Sequence, residues 1–452
     1  MISYRLSDSI PFPLTMNDDM TAEFSTDAQQ LLDFIDQSPS PWHAGRSIAA
    51  RLLAAGFRRL EEGEVWRLEP GDRAFVVRGD SSMVAFIVGG GTLAETGFRI
   101  VGAHTDSPGL RVKPRGAHAE GSMLRLGVEV YGGPILATFA DRDLSLAGRV
   151  GVRTEAGVDI RLVDFPDALV RLPNLAIHMN REVNKDGLKF NKQTELPLLL
   201  AVADEVPAED RLRALLSERA GCDPKDVLSW ELSVFDTQPG AFWGPQREFI
   251  ADGQLDNLAS CHAGLSALLQ VSHAEAVAVA AFFDHEEIGS ESHKGADGAL
   301  LPDVLERIAL ALGLDRTGYK RALARSFLVS ADMAHAYQPN FPQSYEPQHK
   351  VFVNAGPVVK TNACGRYATD AEAAARIIRL CERAEVPYQQ YVHRTDLGCG
   401  STIGPMTAAR LGIPAADIGN PMWAMHSVRE SAGVRDHTHM IRLLRCFFST
   451  GA

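Results

Sequence analysis

The order of apolar and polar positions separates two kinds of chain. Leu31, Leu32, Phe34 and Ile35 recur at helical spacing from Asp27 onward, and a second helix is expected over 41–55, ended by Gly56. Short apolar runs then alternate with helical stretches. Strands are predicted at 82–88, 98–103, 276–283, 327–330, 388–393 and 415–418, and helices at 259–271, 303–312, 371–384, 402–411 and 436–448. Fully apolar strands separated by helices predict an α/β fold: a mostly parallel, mixed sheet covered by helices on both faces. The middle of the chain reads differently. Residues 124–131, 145–153 and 158–163 look like antiparallel strands, the last two joined by a turn at Glu155-Ala156-Gly157. The pattern therefore predicts a discontinuous α/β domain over 27–118 and 250–452, interrupted by a β-rich domain over 119–249. Residues 1–26 read as a mobile leader in which Met16 or Met20 offers an alternative start.

Composition narrows the function classes. A chain of 452 residues with 45% hydrophobic and 23% charged residues is ordinary for a globular protein of two or three domains. The 45 basic and 57 acidic residues leave a net charge of −12, which argues against a nucleic-acid partner. The longest apolar run, Ala276 to Phe283, is far short of the roughly twenty residues of a membrane span. Residues 1–25 carry Asp8, Asp18, Asp19 and Glu23 and no continuous apolar stretch, so no secretory signal is read. Six cysteines without a C-x-x-C pair suit reduced thiols in a cytoplasmic protein.

Chemistry gathers at the strand ends. Phe282-Phe283-Asp284-His285-Glu286-Glu287 turns from an apolar strand into four ionisable residues at once. Ligands of open α/β sheets bind beyond the carboxyl ends of the strands, and adjacent glutamates there can divide metal ligation from general-base work. A solvated acidic turn is the competing reading. His104-Thr105-Asp106 follows the strand at 98–103, where the aspartate can orient the imidazole, although a buried structural histidine fits as well. Asp256, in Gly253-Gln254-Leu255-Asp256-Asn257, also suits a helix N-cap. Asp332 ends another strand and His426 lies in the loop after Ile418. Each string is ambiguous alone. Together they supply the histidines and carboxylates of a co-catalytic site for two cations about 3.5–4 Å apart, rather than a closed structural zinc site.

AHTDSPG, GQLDN, DHEEIGS, SADMAHA and WAMHS, in this order and spacing, resemble the M18 metallo-aminopeptidases, the aspartyl aminopeptidases, over nearly the whole chain from about residue 27. The resemblance implies a phosphorylase/hydrolase-like zinc exopeptidase domain with a β-rich insert for dimerisation and substrate contact, assembled into tetrahedral homododecamers built from dimers. It implies two divalent ions per subunit, zinc first, with Mn or Co compatible with the same ligands. His104 and Asp332 would bind one ion, Glu287 and His426 the other, and Asp256 would bridge. Glu286 would be the general base that activates the attacking water, and Asp106 would orient His104. His178, within NLAIHMN, matches the segment that reaches a neighbouring subunit's active site; by its residues alone it reads as a structural strand histidine.

An N-terminal Asp or Glu of a peptide substrate calls for a cation. The resemblance places Lys360, in GPVVKTN, in the specificity pocket, where a surface lysine is the bland alternative. Tyr367, in RYAT, would touch substrate or anchor its loop. Gly398 to Gly404 lacks the spacing of a phosphate loop and reads as a tight turn near the active centre. His285 is expected to point away, His335 and His349 to be structural or supporting, and His437 and His439 to lie at the surface. The expected reaction is release of an N-terminal acidic residue. The rivals are a neutral-residue aminopeptidase, another dinuclear metal deacylase on the same scaffold, or a catalytically silent assembly protein.

Overall fold

Alternating faces of the same strands build two cores. In a computed structural model that describes residues 18–450, the strand Val277–Phe283 sends Ala278, Ala280 and Phe282 to one side of a nine-stranded sheet. It sends Val277, Val279, Ala281 and Phe283 to the other. A strand buried on both faces has no polar position, because successive side chains point in opposite directions. The helices Asp18–Asp36, Leu255–Leu269, Ala371–Arg383 and Val434–Ser449 cover the first face, and Leu300–Ala311, Arg316–Ala324 and Ile403–Leu411 the second.

The four central strands run in the order Val277–Phe283, Phe98–His104, Phe327–Ala331 and Ala415–Gly419, all parallel. Ser82–Ile87 and Val358–Thr361 flank them antiparallel. The sheet is thus mixed, with its parallel part at the centre, and every central strand points its carboxyl end at the same edge.

A second, six-stranded sheet is antiparallel throughout, in the order Gly157–Asp164, Leu144–Thr154, Val227–Asp236, Gly109–Glu120, Met123–Tyr131 and Leu198–Val202. The earliest of these strands along the chain starts at Gly109, five residues after His104. A third sheet joins Ala241–Trp243 and Phe249–Asp252 to Glu430–Gly433, Pro421–Trp423 and Ala334–His335. Chain segments on either side of the antiparallel sheet therefore meet again beside the metal-type residues. No helix among the described residues is long and apolar enough to cross a membrane.

Several elements differ from the pattern-based expectation. The first helix begins at Asp18, not Asp27: Phe24 is buried against the His439 ring, and the Thr438 hydroxyl donates to Asp27 at 2.7 Å. Residues 1–17, with Met16, lie outside the described residues. His437 and His439 are buried instead of at the surface, because the last helix packs against the first and against Leu255–Leu269. The helix Ala208–Ala220 and the strands Arg73–Arg78 and Val358–Thr361 carry charged residues among short apolar groups, which hid them from an apolar-run reading.

Candidate metal centre

Parallel register brings the sequence strings together. His104 pairs with Phe283 at the ends of adjacent strands, and the Asp332 amide donates to the Ile418 carbonyl at 2.9 Å. Asp256 enters from the start of Leu255–Leu269 on non-helical backbone (ψ 105°); it does not act as an N-cap, because its carboxylate accepts from no amide of that helix and faces two imidazoles instead. His104 Nε2 lies 3.4 Å from Asp256 Oδ1 and 3.8 Å from Asp332 Oδ1. His426 Nε2 lies 3.5 Å from Asp256 Oδ2 and 3.4 Å from Glu287 Oε1. Ligand atoms of His104, Asp256 and Asp332 fall within 4.8 Å of one another, as do those of Asp256, Glu287 and His426, and those of His104, Glu286 and Glu287. All line one cavity of about 600 Å³.

The electrostatics fit bound cations. Burial opposes charge on His104, yet the carboxylates of Asp106, Asp256 and Asp332 overcome it and hold the imidazole well above its ordinary pKa. Burial also works against charge on His426, and Asp256 again outweighs it. Glu286 is pushed up to about 8 by burial, with His104 opposing and Asp332, Asp106 and Asp256 adding to the rise. Glu287 is raised well above the carboxylate range by burial and then by Asp256. Carboxylates this crowded cannot all ionise without positive charge among them. Asp256 Oδ1 is buried without a hydrogen-bond donor. A nitrogen and carboxylate donor set of this kind suits Zn, Co or Mn.

The surrounding hydrogen bonds hold these groups in place. His104 Nδ1 sits 3.0 Å from the Asp106 carbonyl oxygen, so the backbone of Asp106 fixes the ring more directly than its carboxylate, 3.4 Å away. The Asp106 carboxylate accepts instead from Tyr131 Oη at 2.7 Å and from the amides of Glu286 at 3.1 Å and Glu287 at 3.2 Å. His426 Nδ1 lies 3.0 Å from the Gly133 carbonyl. Such partners set tautomer and ring orientation. Tyr131, Gly133 and the buried Lys294–Asp284 pair (2.6 Å) escaped the sequence reading. None stands in a local motif: Tyr131 comes from the antiparallel sheet, and Gly133 and Lys294 from bends outside the strands.

The remaining site residues fall into two groups. Lys360 is no surface lysine: it is 2% exposed, its Nζ donates to the carbonyls of Asp332 and Met333 at 3.1 Å each, and it stands 5.0 Å from the Tyr367 ring. Both line the cavity, together with His335, which burial depresses to about 4 with Lys360 adding to the fall. The turn before Ile403–Leu411 also reaches the cavity through Gly400 to Thr402, as expected. His285 turns away, its Nδ1 2.8 Å from Ser292 Oγ. His178 is not on a strand. It lies in an exposed turn closed by the Met179 amide on the Ala176 carbonyl at 2.8 Å, outside the cavity.

A buried cluster of histidines and carboxylates at the carboxyl edge of a parallel sheet defines a metal-dependent hydrolase. Residues 34–448 match the family described as Aminopeptidase I zinc metalloprotease (M18), and the chain belongs to that family of metallo-aminopeptidases. A probable M18 family aminopeptidase 2 of Pseudomonas aeruginosa strain UCBPP-PA14 is 48% identical over 426 residues, 93% of this chain and 98% of the relative. A protein of the same description from Azotobacter vinelandii strain DJ is 48% identical over 428 residues, again 93% and 98%. Among solved structures, a chain in the cryo-EM structure of the Ape4 and Nbr1 complex has a TM-score of 0.92 at 38% identity, covering 96% of this chain and 87% of that one. The S. cerevisiae mApe1 dodecamer gives 0.82 at 26% identity, covering 94% and 97%.

Proposed function

We propose that this aminopeptidase holds two divalent ions and removes acidic N-terminal residues from peptides. The ligand reading rests on the paired triads around Asp256: His104 and Asp332 on one side, Glu287 and His426 on the other. Cations bound there supply Lewis acidity, which acidifies water and polarises a carbonyl. Glu286 supplies the proton transfers. Its carboxylate takes a proton from the attacking water and returns it to the departing amine. The Asp106 carboxylate, bonded to the Glu286 amide, keeps that base aimed into the cavity.

Lys360 carries the acidic preference. An ammonium has three donors, and two are spent on the Asp332 and Met333 carbonyls, which leaves one for a substrate carboxylate. Lys360 makes no salt bridge with a carboxylate of the described residues; its register partner on the adjacent strand, Asp417, is a buried carboxyl whose charge Lys360 favours. The exposed apolar residues around His178 (Leu175, Ile177 and Met179) suit a second copy of the chain, in line with a dodecameric assembly built from dimers in which His178 enters a neighbour's cavity.

The purified protein should cleave Asp- and Glu-p-nitroanilides at least tenfold better than Leu-p-nitroanilide in kcat/KM. Chelation should abolish this activity and added Zn, Mn or Co restore it. A preference for Leu would reject the acidic reading in favour of a neutral-residue aminopeptidase, and chelator-resistant turnover would reject the metal reading.

A further inference from the structure

Two backbone segments that carry proposed ligands run through conformations their residues do not favour. Gln254, Ala424 and His426 all have φ between 56° and 67°, in the left-handed region that disfavours residues with a Cβ. Neither segment is held by a regular ladder at its ligand. The Asp256 amide lies in the non-helical start of its helix, and His426 lies between the strands Pro421–Trp423 and Glu430–Gly433. Both amides end on one side chain. Glu430 Oε1 accepts from the His426 amide at 2.6 Å, and Oε2 accepts from the Asp256 amide at 2.9 Å. Glu430 is 2% exposed and forms no ion pair with a described lysine, arginine or histidine. It opens the strand paired with Phe249–Asp252, opposite Asp252, so its own backbone is anchored in the third sheet.

We infer that Glu430 is a positioning residue that clamps the Asp256 and His426 segments to each other. One carboxylate with two oxygens, each satisfying one amide, fixes the spacing of two side chains that must share a cation, Asp256 Oδ2 and His426 Nε2, now 3.5 Å apart. Lengthening either hydrogen bond lets one ligand drift from the other without unfolding the sheet. The neighbouring Ser107 hydroxyl adds a third tie, donating to the Asp256 carbonyl at 2.6 Å. The clamp deepens the metal reading above and rests on it for its catalytic consequence, whereas the hydrogen bonds themselves need no metal.

The test uses the full chain and two readouts. In metal-free wild-type protein, the amides of Asp256 and His426 should exchange with deuterium at least a hundredfold more slowly than in an unstructured peptide. Exchange of either at the unstructured rate overturns the clamp. The near-isosteric Glu430→Gln keeps one acceptor and presents an NH2 group to the other amide, so one tie is lost. That variant should bind cobalt ten- to a hundredfold more weakly, followed by its visible absorption and by chelator competition. At saturating metal its kcat should fall by a similar factor, with KM for Asp-p-nitroanilide within threefold of wild type. Cobalt affinity and kcat both within twofold of wild type overturn the inference. A purely structural role would lower active protein in proportion to the unfolded fraction and leave kcat per folded molecule unchanged, which also overturns it. If Glu430→Gln does not fold, the wild-type exchange rates decide alone. Failure of the wild-type protein to bind cobalt would instead overturn the two-ion function.

Discussion

A side chain that takes a proton from water must sit next to the reaction, keep the right pKa and have no competing partner. Glu286 lines the cavity, and its backbone rather than its carboxylate is bonded to Asp106. Glu286→Gln keeps the shape and removes the base. The variant should fold, retain its metal content and lose kcat by about 10²–10⁴; turnover within tenfold of wild type would reassign the base. Lys360 is tested by Lys360→Met, which keeps the stem and removes the ammonium. Activity on Asp-p-nitroanilide should fall by tenfold or more while Leu-p-nitroanilide changes by less than threefold. Equal losses on both substrates would make Lys360 a support for the Asp332 and Met333 carbonyls and nothing more. His178, Lys360 and Asp106 show how far single residues could be read. Their residue types were informative, but the sequence could not tell a surface lysine from one only 2% exposed, or an orienting carboxylate from an orienting carbonyl.

At the scale of elements, the site depends on how closely neighbouring strand ends approach. Gly419 closes the strand Ala415–Gly419, and a Cβ placed there would lie 1.8 Å from the Asp332 carbonyl oxygen. That oxygen also receives Lys360 Nζ. Gly419→Ala should therefore push the backbone of a proposed ligand. Overpacking of this kind costs about 1–3 kcal/mol, readable as a lower urea midpoint. It should also cut kcat/KM on Asp-p-nitroanilide by more than tenfold; an alanine that leaves both unchanged would show that the strand ends are free to move. The central strands and most flanking helices were legible because burial on two faces demands an unbroken apolar run. The helix Ala208–Ala220 was not, since its partial burial permits charge, and neither was the strand Val358–Thr361, since it is four residues long and one of its three buried positions is the lysine Lys360.

Over the whole molecule, packing of distant helices decides protonation. His262 and His437 lie 2.8 Å apart between Leu255–Leu269 and Val434–Ser449, both buried. Burial depresses His437 to about 3; burial and then His437 hold His262 well below its ordinary value. Unfolded histidine titrates near 6.5, so below that pH the unfolded chain binds more protons and stability falls with pH, down to the folded values. One such histidine costs about 2 kcal/mol between pH 6.5 and 5. Asp436, raised to about 7 by burial, works the other way over its own range, so the pair must be isolated by difference. In chelator, His437→Gln should lose less unfolding free energy than wild type between pH 7 and pH 5; equal losses would show that the pair is charged or hydrated in the fold. By itself the sequence determined the apolar strands, the helices between them and the order of residue types at the strand ends, because burial and ligand chemistry both restrict which residues a position accepts. Only the tertiary structure decided which ends meet. The parallel register sets His104 beside Phe283, the third sheet carries Glu430 to both Asp256 and His426, and the antiparallel sheet returns Tyr131 to Asp106. Apart from Glu430 and His426, four residues apart, those contacts join residues distant in the chain through strand register or a single hydrogen bond, which leave no period or motif in the sequence.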